Sequence, residues 1–303
     1  MTAQALSGIA KDLTKMSSKS AVKLLVPADT DGDADKDQQR LFKWVAILTG
    51  SKNALKGAGF LLGGLLLGWL GFAPSLWAMA AGLAVILVAG LFWLKGDLGK
   101  SKKKTKFTQL FSKSPEINAL SAARFFLFAS RDIWFVVALP VFLKSVLGWS
   151  FAGVGAFLAA WVIGYGFIQA SAPGWVHGSA RSALRWGSLL VLVTAAIAAA
   201  VQFDFHPTLA ILGGLAIFGV VFAVNSAVHS YLILHYTESD DVALNVGFYY
   251  MANACGRLVG TLLSGLVYLA SGLSGCLWAS ALFVLAAVLL TLKLPRDAKE
   301  SAA

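Results

Sequence analysis

The sequence predicts an all-α membrane protein, in which hydrophobic helices cross a bilayer several times. Hydrophobic residues make up 58% of the 303 residues and charged residues only 13%, whereas a soluble domain carries about 25% charged residues. The mean hydropathy is +0.73. The apolar residues also fall in runs of about 20 or more, the length that a helix needs to cross the hydrocarbon core. We expect no cofactor and no nucleic-acid partner for such a chain.

Nine membrane spans follow from these runs. The first is predicted at 3–26 and ends before Pro27, because proline interrupts a helix. The others are predicted at 43–71, 74–95, 117–146, 150–173, 184–203, 207–234, 243–270 and 273–294.

The charge of the loops predicts the orientation. The linker 95–115 carries seven lysines, the loop 174–185 carries Arg181 and Arg185, and the tail carries Lys293, Arg296 and Lys299. The alternate connections are short and nearly uncharged. Because lysine and arginine concentrate in cytoplasmic loops, we expect these basic segments and the C-terminus to be cytoplasmic.

A hydrophilic segment at 29–37 resembles a calcium-binding loop at first sight. An EF-hand counted from Asp29 requires Gly at position 34 and Glu at position 40, where the chain has Ala34 and Arg40. We therefore interpret it as a solvated cytoplasmic loop. The two cysteines, Cys255 and Cys276, are too few for an ordinary metal site.

Two distant spans share a short pattern with a cation inside each. Lys56-x-x-Gly59 and Arg257-x-x-Gly260 both continue into Leu- and Gly-rich runs, and an Asn stands shortly before each cation. A basic side chain in hydrocarbon costs roughly 2.5–3.5 kcal/mol on insertion scales. The repeat therefore indicates an internally duplicated transporter; chance similarity between two Gly- and Leu-rich helices is the alternative.

The repeat also predicts how the chain is divided. Residues 1–95 would be the remainder of an N-terminal six-helix half, with three helices. Residues 96–116 would be a basic cytoplasmic linker, and residues 117–303 a complete C-terminal half with its tail. On this reading three N-terminal helices are missing from the chain.

Further charges lie inside the predicted spans. Lysines recur every four residues from Lys11 to Lys23, so they form one stripe along the first helix. Helical rise places the cations of several spans at similar depth. Such an excess of cations around a cavity suits a small polyvalent anion. Snorkelling lysines and charge-paired structural residues, such as Arg131 with Asp132, are the alternatives.

The candidate site residues fall into two groups by expected role. The candidates for binding the anion are Lys11, Lys15, Lys52, Asn53, Lys56, Arg124, Arg131, Asn225, Asn253 and Arg257. The candidates for proton coupling are Asp12, Asp132 and His229.

Three runs resemble the ArsJ family of organoarsenical efflux permeases, which belong to the major facilitator superfamily. They are AQALSGIAKDLTKMSSKS at 3–20, WVAILTGSKNALKG at 44–57 and LSAARFFLFASRDIWFVVALP at 120–140. The resemblance covers nearly the whole chain and implies helices four to twelve of a twelve-helix bundle in a bacterial inner membrane. Because the first helix of that bundle lines the cavity, a non-functional truncated fragment is an alternative to an active exporter.

The resemblance also implies a substrate and a functional partner. Glyceraldehyde-3-phosphate dehydrogenase forms 1-arseno-3-phosphoglycerate when arsenate replaces phosphate, and members of this family export that product and so confer arsenate resistance. Proton antiport is the expected driving force. Export of other small organophosphates is an alternative. A membrane enzyme is another, but the sequence contains no nucleophile–base arrangement, nucleotide loop or cluster of metal ligands.

Overall fold

The computed structural model describes residues 34–93, 114–237 and 242–295. The first predicted span, with Lys11, Asp12 and Lys15, lies outside these residues, as does nearly all of the basic linker. The described helices are α1 (Ala34–Leu70), α2 (Phe72–Trp93), α3 (Pro115–Phe135), α4 (Ala138–Ser145), α5 (Phe151–Ser171), α6 (Ala180–Gln202), α7 (Pro207–His235) and α8 (Val242–Thr291). A 3₁₀ turn, Ala172–Gly174, follows α5.

The helices begin where the sequence supplies a cap. Ser114, Ser150 and Ser179 precede α3, α5 and α6, and each side chain accepts a hydrogen bond from a backbone N–H in the first helical turn. Such a cap satisfies an amide that has no partner within the helix. Proline occupies the first turn of α3 and of α7, where its missing N–H has no cost.

Six helical segments in the described residues are long and apolar enough to cross a membrane. They are α2, α3 together with α4, α5, α6, α7 and α8. The last consists of two helices joined at Gly272, whose φ of 64° and ψ of −162° are not helical. The spans predicted at 243–270 and 273–294 therefore meet at this joint. α1, which is more highly charged than these six, is not among them.

The span predicted at 117–146 is in fact two helices, with a break at Val136 and Val137. Pro140 explains the break, since it has no N–H to donate to the carbonyl of Val136 and its ring clashes with that carbonyl. The Ser264 hydroxyl accepts from the amides of Val137 and Ala138, at 3.3 and 3.1 Å. One side chain of α8 therefore compensates for the interrupted helical hydrogen bonds.

Glycine permits the closest helix contacts. A side chain at Gly256 would overlap the Phe125 carbonyl, and one at Gly260 would lie 2.5 Å from the Ala129 carbonyl oxygen, so α8 lies directly against α3. Both glycines therefore permit close packing of α8 against α3. Gly59, the counterpart of Gly260 in the repeat, has no atom of the described residues within 4 Å of where a side chain would stand.

The contact between α1 and α5 is similarly close. A side chain at Gly166 would lie 2.5 Å from the Ala54 amide nitrogen, and Gly50 is enclosed by Gly166 and Ala170. α1 also contacts α7, and α6 packs against α7 and α8. An aromatic core that includes Trp134 and Phe218 fills the space between the helices.

Candidate functional site: a buried arginine cluster

Asp132, on α3, lies at the centre of the arginine cluster, which consists of Asp132 with Arg124, Arg131 and Arg257. It is fully buried, with 0% of its side chain exposed. Arg131 contacts Oδ1 through both Nε, at 2.7 Å, and Nη2. Arg257, on α8, donates its Nε to Oδ2 at 2.8 Å. Each oxygen of the carboxylate therefore has its own arginine.

The small residues of α8 bring Arg257 to this position. Gly256 and Gly260 lie next to α3, and a side chain at Gly260 would stand 3.0 Å from Cβ of Asp132. The backbones can approach because neither glycine carries a side chain. Arg257 lies between these glycines in sequence and therefore reaches a carboxylate 125 residues earlier in the chain.

Arg124 lies further toward the start of α3 and has only neutral partners among the described residues. Its side chain donates to the Asn253 Oδ1 at 3.3 Å and to the Ser226 hydroxyl at 3.0 Å. Its guanidinium also lies 3.8 Å from the centre of the Phe128 ring, a favourable cation–π geometry. Arg124 is 4% exposed. It is thus a buried cation without a carboxylate.

The cluster therefore has an excess of positive charge. Three arginines, Arg124, Arg131 and Arg257, share the single carboxylate of Asp132. Three positive charges and one negative charge leave an excess of two. Burying uncompensated charge is costly, and the Arg257 side chain remains 39% exposed. An anion that reached these arginines would remove much of that cost.

Several buried polar groups surround Arg124. Gln169 on α5 donates to the Ser226 hydroxyl at 3.2 Å. The His229 Nδ1 is buried without a hydrogen-bond partner in the described part of the chain, and the buried Tyr165 and Ser230 hydroxyls lie near the Ser226 and Tyr249 side chains. Unpaired buried polar atoms are uncommon in proteins. A polar ligand or water could bind them.

Tyr165, Gln169 and Ser226 were not predicted from the sequence. Tyr165 and Gln169 stand four residues apart in an otherwise apolar helix, as do Ser226 and Ser230 in α7. Residues at this spacing share one helix face. That pattern was the signal by which they could have been found.

The structure brings together five of the predicted residues: Arg124, Arg131, Asp132, Asn253 and Arg257. His229 is buried on α7, one helical turn from Ser226. Asn225 is also buried, but it lies beside α6, where its Nδ2 would be 3.5 Å from a side chain at Gly187.

The predicted site residues of α1 lie on a helix that packs against different neighbours from those of the arginine cluster. Lys52 is half-buried and Lys56 is exposed. Their helix packs mainly against α5 and α7, whereas the arginines lie on α3 and α8. The side chain of Asn53 is outside the described residues.

Comparison with known proteins identifies the family. No individual curated protein gives a match. A model of the Major Facilitator Superfamily matches residues 120–303, which is more than half of the chain and includes the whole arginine cluster. The match confirms the expected helical bundle and a multi-pass membrane protein. The chain therefore belongs to the Major Facilitator Superfamily of membrane transporters.

Proposed function

We propose that this transporter exports a small organic polyanion, specifically 1-arseno-3-phosphoglycerate, and thereby confers arsenate resistance. The single observation that carries the proposal is the excess of two positive charges among Arg124, Arg131, Arg257 and Asp132. The specific substrate rests on the resemblance of the runs at 44–57 and 120–140 to the organoarsenical permeases. The proposed setting is a bacterial inner membrane, with the C-terminus in the cytoplasm.

The available donors support an anion with two charged ends. Arg257 uses its Nε for Asp132, and no described residue accepts a hydrogen bond from its two terminal nitrogens. Arg124 uses Nε and Nη1, which leaves Nη2. Arginine binds oxyanions with parallel hydrogen bonds. An arsenate group and a phosphate group at opposite ends of one molecule could therefore engage separate arginines.

The same contacts suggest how export could be coupled to protons. A bound anion competes with Asp132 for Arg257. Loss of that arginine would leave the buried carboxylate with Arg131 alone. Asp132 is therefore the first candidate residue for proton coupling. His229, buried near Arg124, is the second candidate for proton transfer.

The N-terminal part of the chain would supply a second cationic group. In this proposal residues 1–95 and 117–303 belong to two halves joined by the linker 96–116. Lys52 and Lys56, with Lys11 and Lys15, would bind one end of the substrate from the first half. Glyceraldehyde-3-phosphate dehydrogenase would act as the functional partner that forms the substrate.

Everted membrane vesicles that contain the transporter provide the test. Vesicles are incubated with the dehydrogenase, NAD, glyceraldehyde 3-phosphate and arsenate, and the arsenic inside the vesicles is measured. We expect uptake to require all four additions. Arg257→Gln should reduce uptake at least about tenfold, because a charged hydrogen bond contributes roughly 1.5–3 kcal/mol.

Arg185→Gln is the matched control, because Arg185 is an exposed arginine in the first turns of α6. This substitution should leave uptake unchanged. Uptake of arsenate without glyceraldehyde 3-phosphate would contradict the proposed substrate. Uptake of radiolabelled glyceraldehyde 3-phosphate itself, without arsenate, would assign the transporter to ordinary organophosphates. Equal uptake by the Arg257→Gln protein would remove the arginine cluster from the binding site.

A further inference from the structure

A cavity of about 480 Å³ opens between the first turns of α1 and the end of α5, away from the arginine cluster. Its lining residues are Lys36, Gln39, Arg40, Lys43 and Ile47 of α1, and Ala170, Ser171, Pro173 and Gly174 opposite. It shares no residue with the arginine cluster.

The cavity exists because the close contact between α1 and α5 ends abruptly. Deeper in the protein, Gly50 fits against Gly166 and Ala170 with no room for a side chain. α5 stops at Ser171 and the chain turns away through Ala172–Gly174. α1 continues past this point for about four more turns, so its α5-facing side meets a gap, while Phe42 on another side packs against Tyr231 of α7.

One face of α1 fills this gap with positive charge. Lys36, Arg40 and Lys43 are spaced by four and three residues, so they lie on the same side of the helix. No lining residue is a carboxylate. Arg40 and Lys43 bring two like charges to one cavity, and these repel one another unless an anion lies between them.

Two of these cations are available to a ligand. Neither Arg40 nor Lys43 forms an ion pair with any residue in the described ranges. Arg40 supplies a planar set of donors and Lys43 a point charge, the two side chains that proteins use for phosphate. Gln39 and Ser171 add neutral hydrogen-bonding groups.

The position of the cavity favours a lipid as the source of the phosphate. The segment before α1 and the loop 174–185 are both predicted to be cytoplasmic, so the cavity lies where the headgroups of the inner leaflet would be. Ile47 lies about 6 Å deeper along the helix than Lys43. A charged rim above an apolar floor matches a phospholipid, and basic pockets between helices on the cytoplasmic side bind anionic headgroups.

We propose that this cavity binds the phosphate group of an anionic phospholipid, which Arg40 and Lys43 hold at the junction of α1 and α5. The bound lipid neutralises the cationic face of α1 and bridges it to the turn after α5. The site is independent of the transported substrate. Free inorganic phosphate has the same chemistry and is the competing source.

Lipid retention by the purified protein in nanodiscs tests the proposal. Native mass spectrometry compares phosphatidylglycerol with phosphatidylcholine for the unmodified protein and for two double variants. Arg40→Gln with Lys43→Gln removes two cations from the cavity. Arg181→Gln with Arg185→Gln removes two cations from the same side of the membrane, outside the cavity. The second variant thus controls for general attraction to an anionic surface.

We expect the unmodified protein to retain phosphatidylglycerol preferentially. The cavity variant should weaken that retention at least about tenfold, as expected when one or more charge-assisted hydrogen bonds to the phosphate are lost, and the control variant should weaken it much less. Equal losses in both variants, or no preference for phosphatidylglycerol in the unmodified protein, would overturn the site. Competition by millimolar inorganic phosphate would support the cavity but assign it to soluble phosphate.

One further readout keeps the result interpretable: the elution profile of the cavity variant in phosphatidylcholine nanodiscs shows whether it folds. The lipid experiment does not depend on transport, so the lipid site can fail while the proposed export stands, and the proposed export can fail while the lipid site stands.

Discussion

Replacing Asp132 with asparagine is expected to destabilise the protein strongly, because this buried carboxylate is the counter-charge of two arginines. Asparagine has nearly the same size and can still accept hydrogen bonds, so the change removes charge with little loss of packing. The excess of positive charge among Asp132 and the three arginines would rise from two to three.

The magnitude follows from the burial of the group. The Asp132 side chain is 0% exposed and contacts Arg131 and Arg257 on separate oxygens. Removing one partner of a buried ion pair costs about 3–5 kcal/mol. At about 2–4 °C per kcal/mol for a chain of this general size, the melting temperature should fall by roughly 6–20 °C.

Thermal unfolding of the detergent-solubilised protein, followed by size-exclusion chromatography after heating, measures this change. Asp204→Asn is the matched control. Asp204 is exposed in the turn before α7 with φ of 54°, a conformation that asparagine also tolerates. The control should shift the melting temperature by less than about 2 °C.

A second variant tests the charge argument directly. Adding Arg257→Gln to Asp132→Asn returns the excess charge to two, so the double variant should recover part of the lost stability. The reasoning is refuted if Asp132→Asn has the same melting temperature as the control Asp204→Asn. It is also refuted if the effects of the two substitutions simply add, since residues in one ion-pair network should be coupled.

Three other predictions concern packing, the helix break and a tyrosine. Gly256→Ala should lower the melting temperature by several degrees, because the new methyl group overlaps a carbonyl of α3 at a cost of about 1–3 kcal/mol; Gly265→Ala, in open space, should not. Ser264→Ala should cost about 1–3 kcal/mol by leaving two amides at the α3–α4 break without an acceptor, and thermal unfolding that matches the unmodified protein would contradict it. Burial, then the charge of Glu116, raises the pKa of Tyr236 to about 12. The stability from its protonated hydroxyl should be complete below pH about 10 and lost as pH rises toward 12. An alkaline titration followed by tyrosinate absorbance, compared between the protein and Tyr236→Phe, measures this pKa. A midpoint near pH 10 for the difference would contradict the prediction.

The positions of the helices were largely predictable from local chemistry. Apolar runs marked the spans, and Ser150 and Pro207 stand where α5 and α7 begin. The break at Val136 was missed because the apolar run continues through it. Pro140 was the available signal, since a proline disrupts the helix four residues before it.

The repeated pattern shows what sequence similarity could not decide. Lys56-x-x-Gly59 and Arg257-x-x-Gly260 have the same spacing, but Gly260 lies against α3, whereas Gly59 has no neighbour within 4 Å among the described residues. The pattern states which residues are small and which is charged. It does not state which helix is adjacent, and the neighbour decides whether a glycine serves packing and whether a cation meets a carboxylate.

The sequence by itself determined that this protein is a bundle of membrane helices with an excess of cations inside it, because hydropathy and charge belong to each segment separately. The tertiary structure decided which charges meet. Only the contact of α3 with α8 joins Asp132 to Arg257, and only the convergence with α7 leaves Arg124 among neutral partners. Pairing depends on distance across helices, and distances of a few ångströms between residues more than 100 positions apart are set by packing.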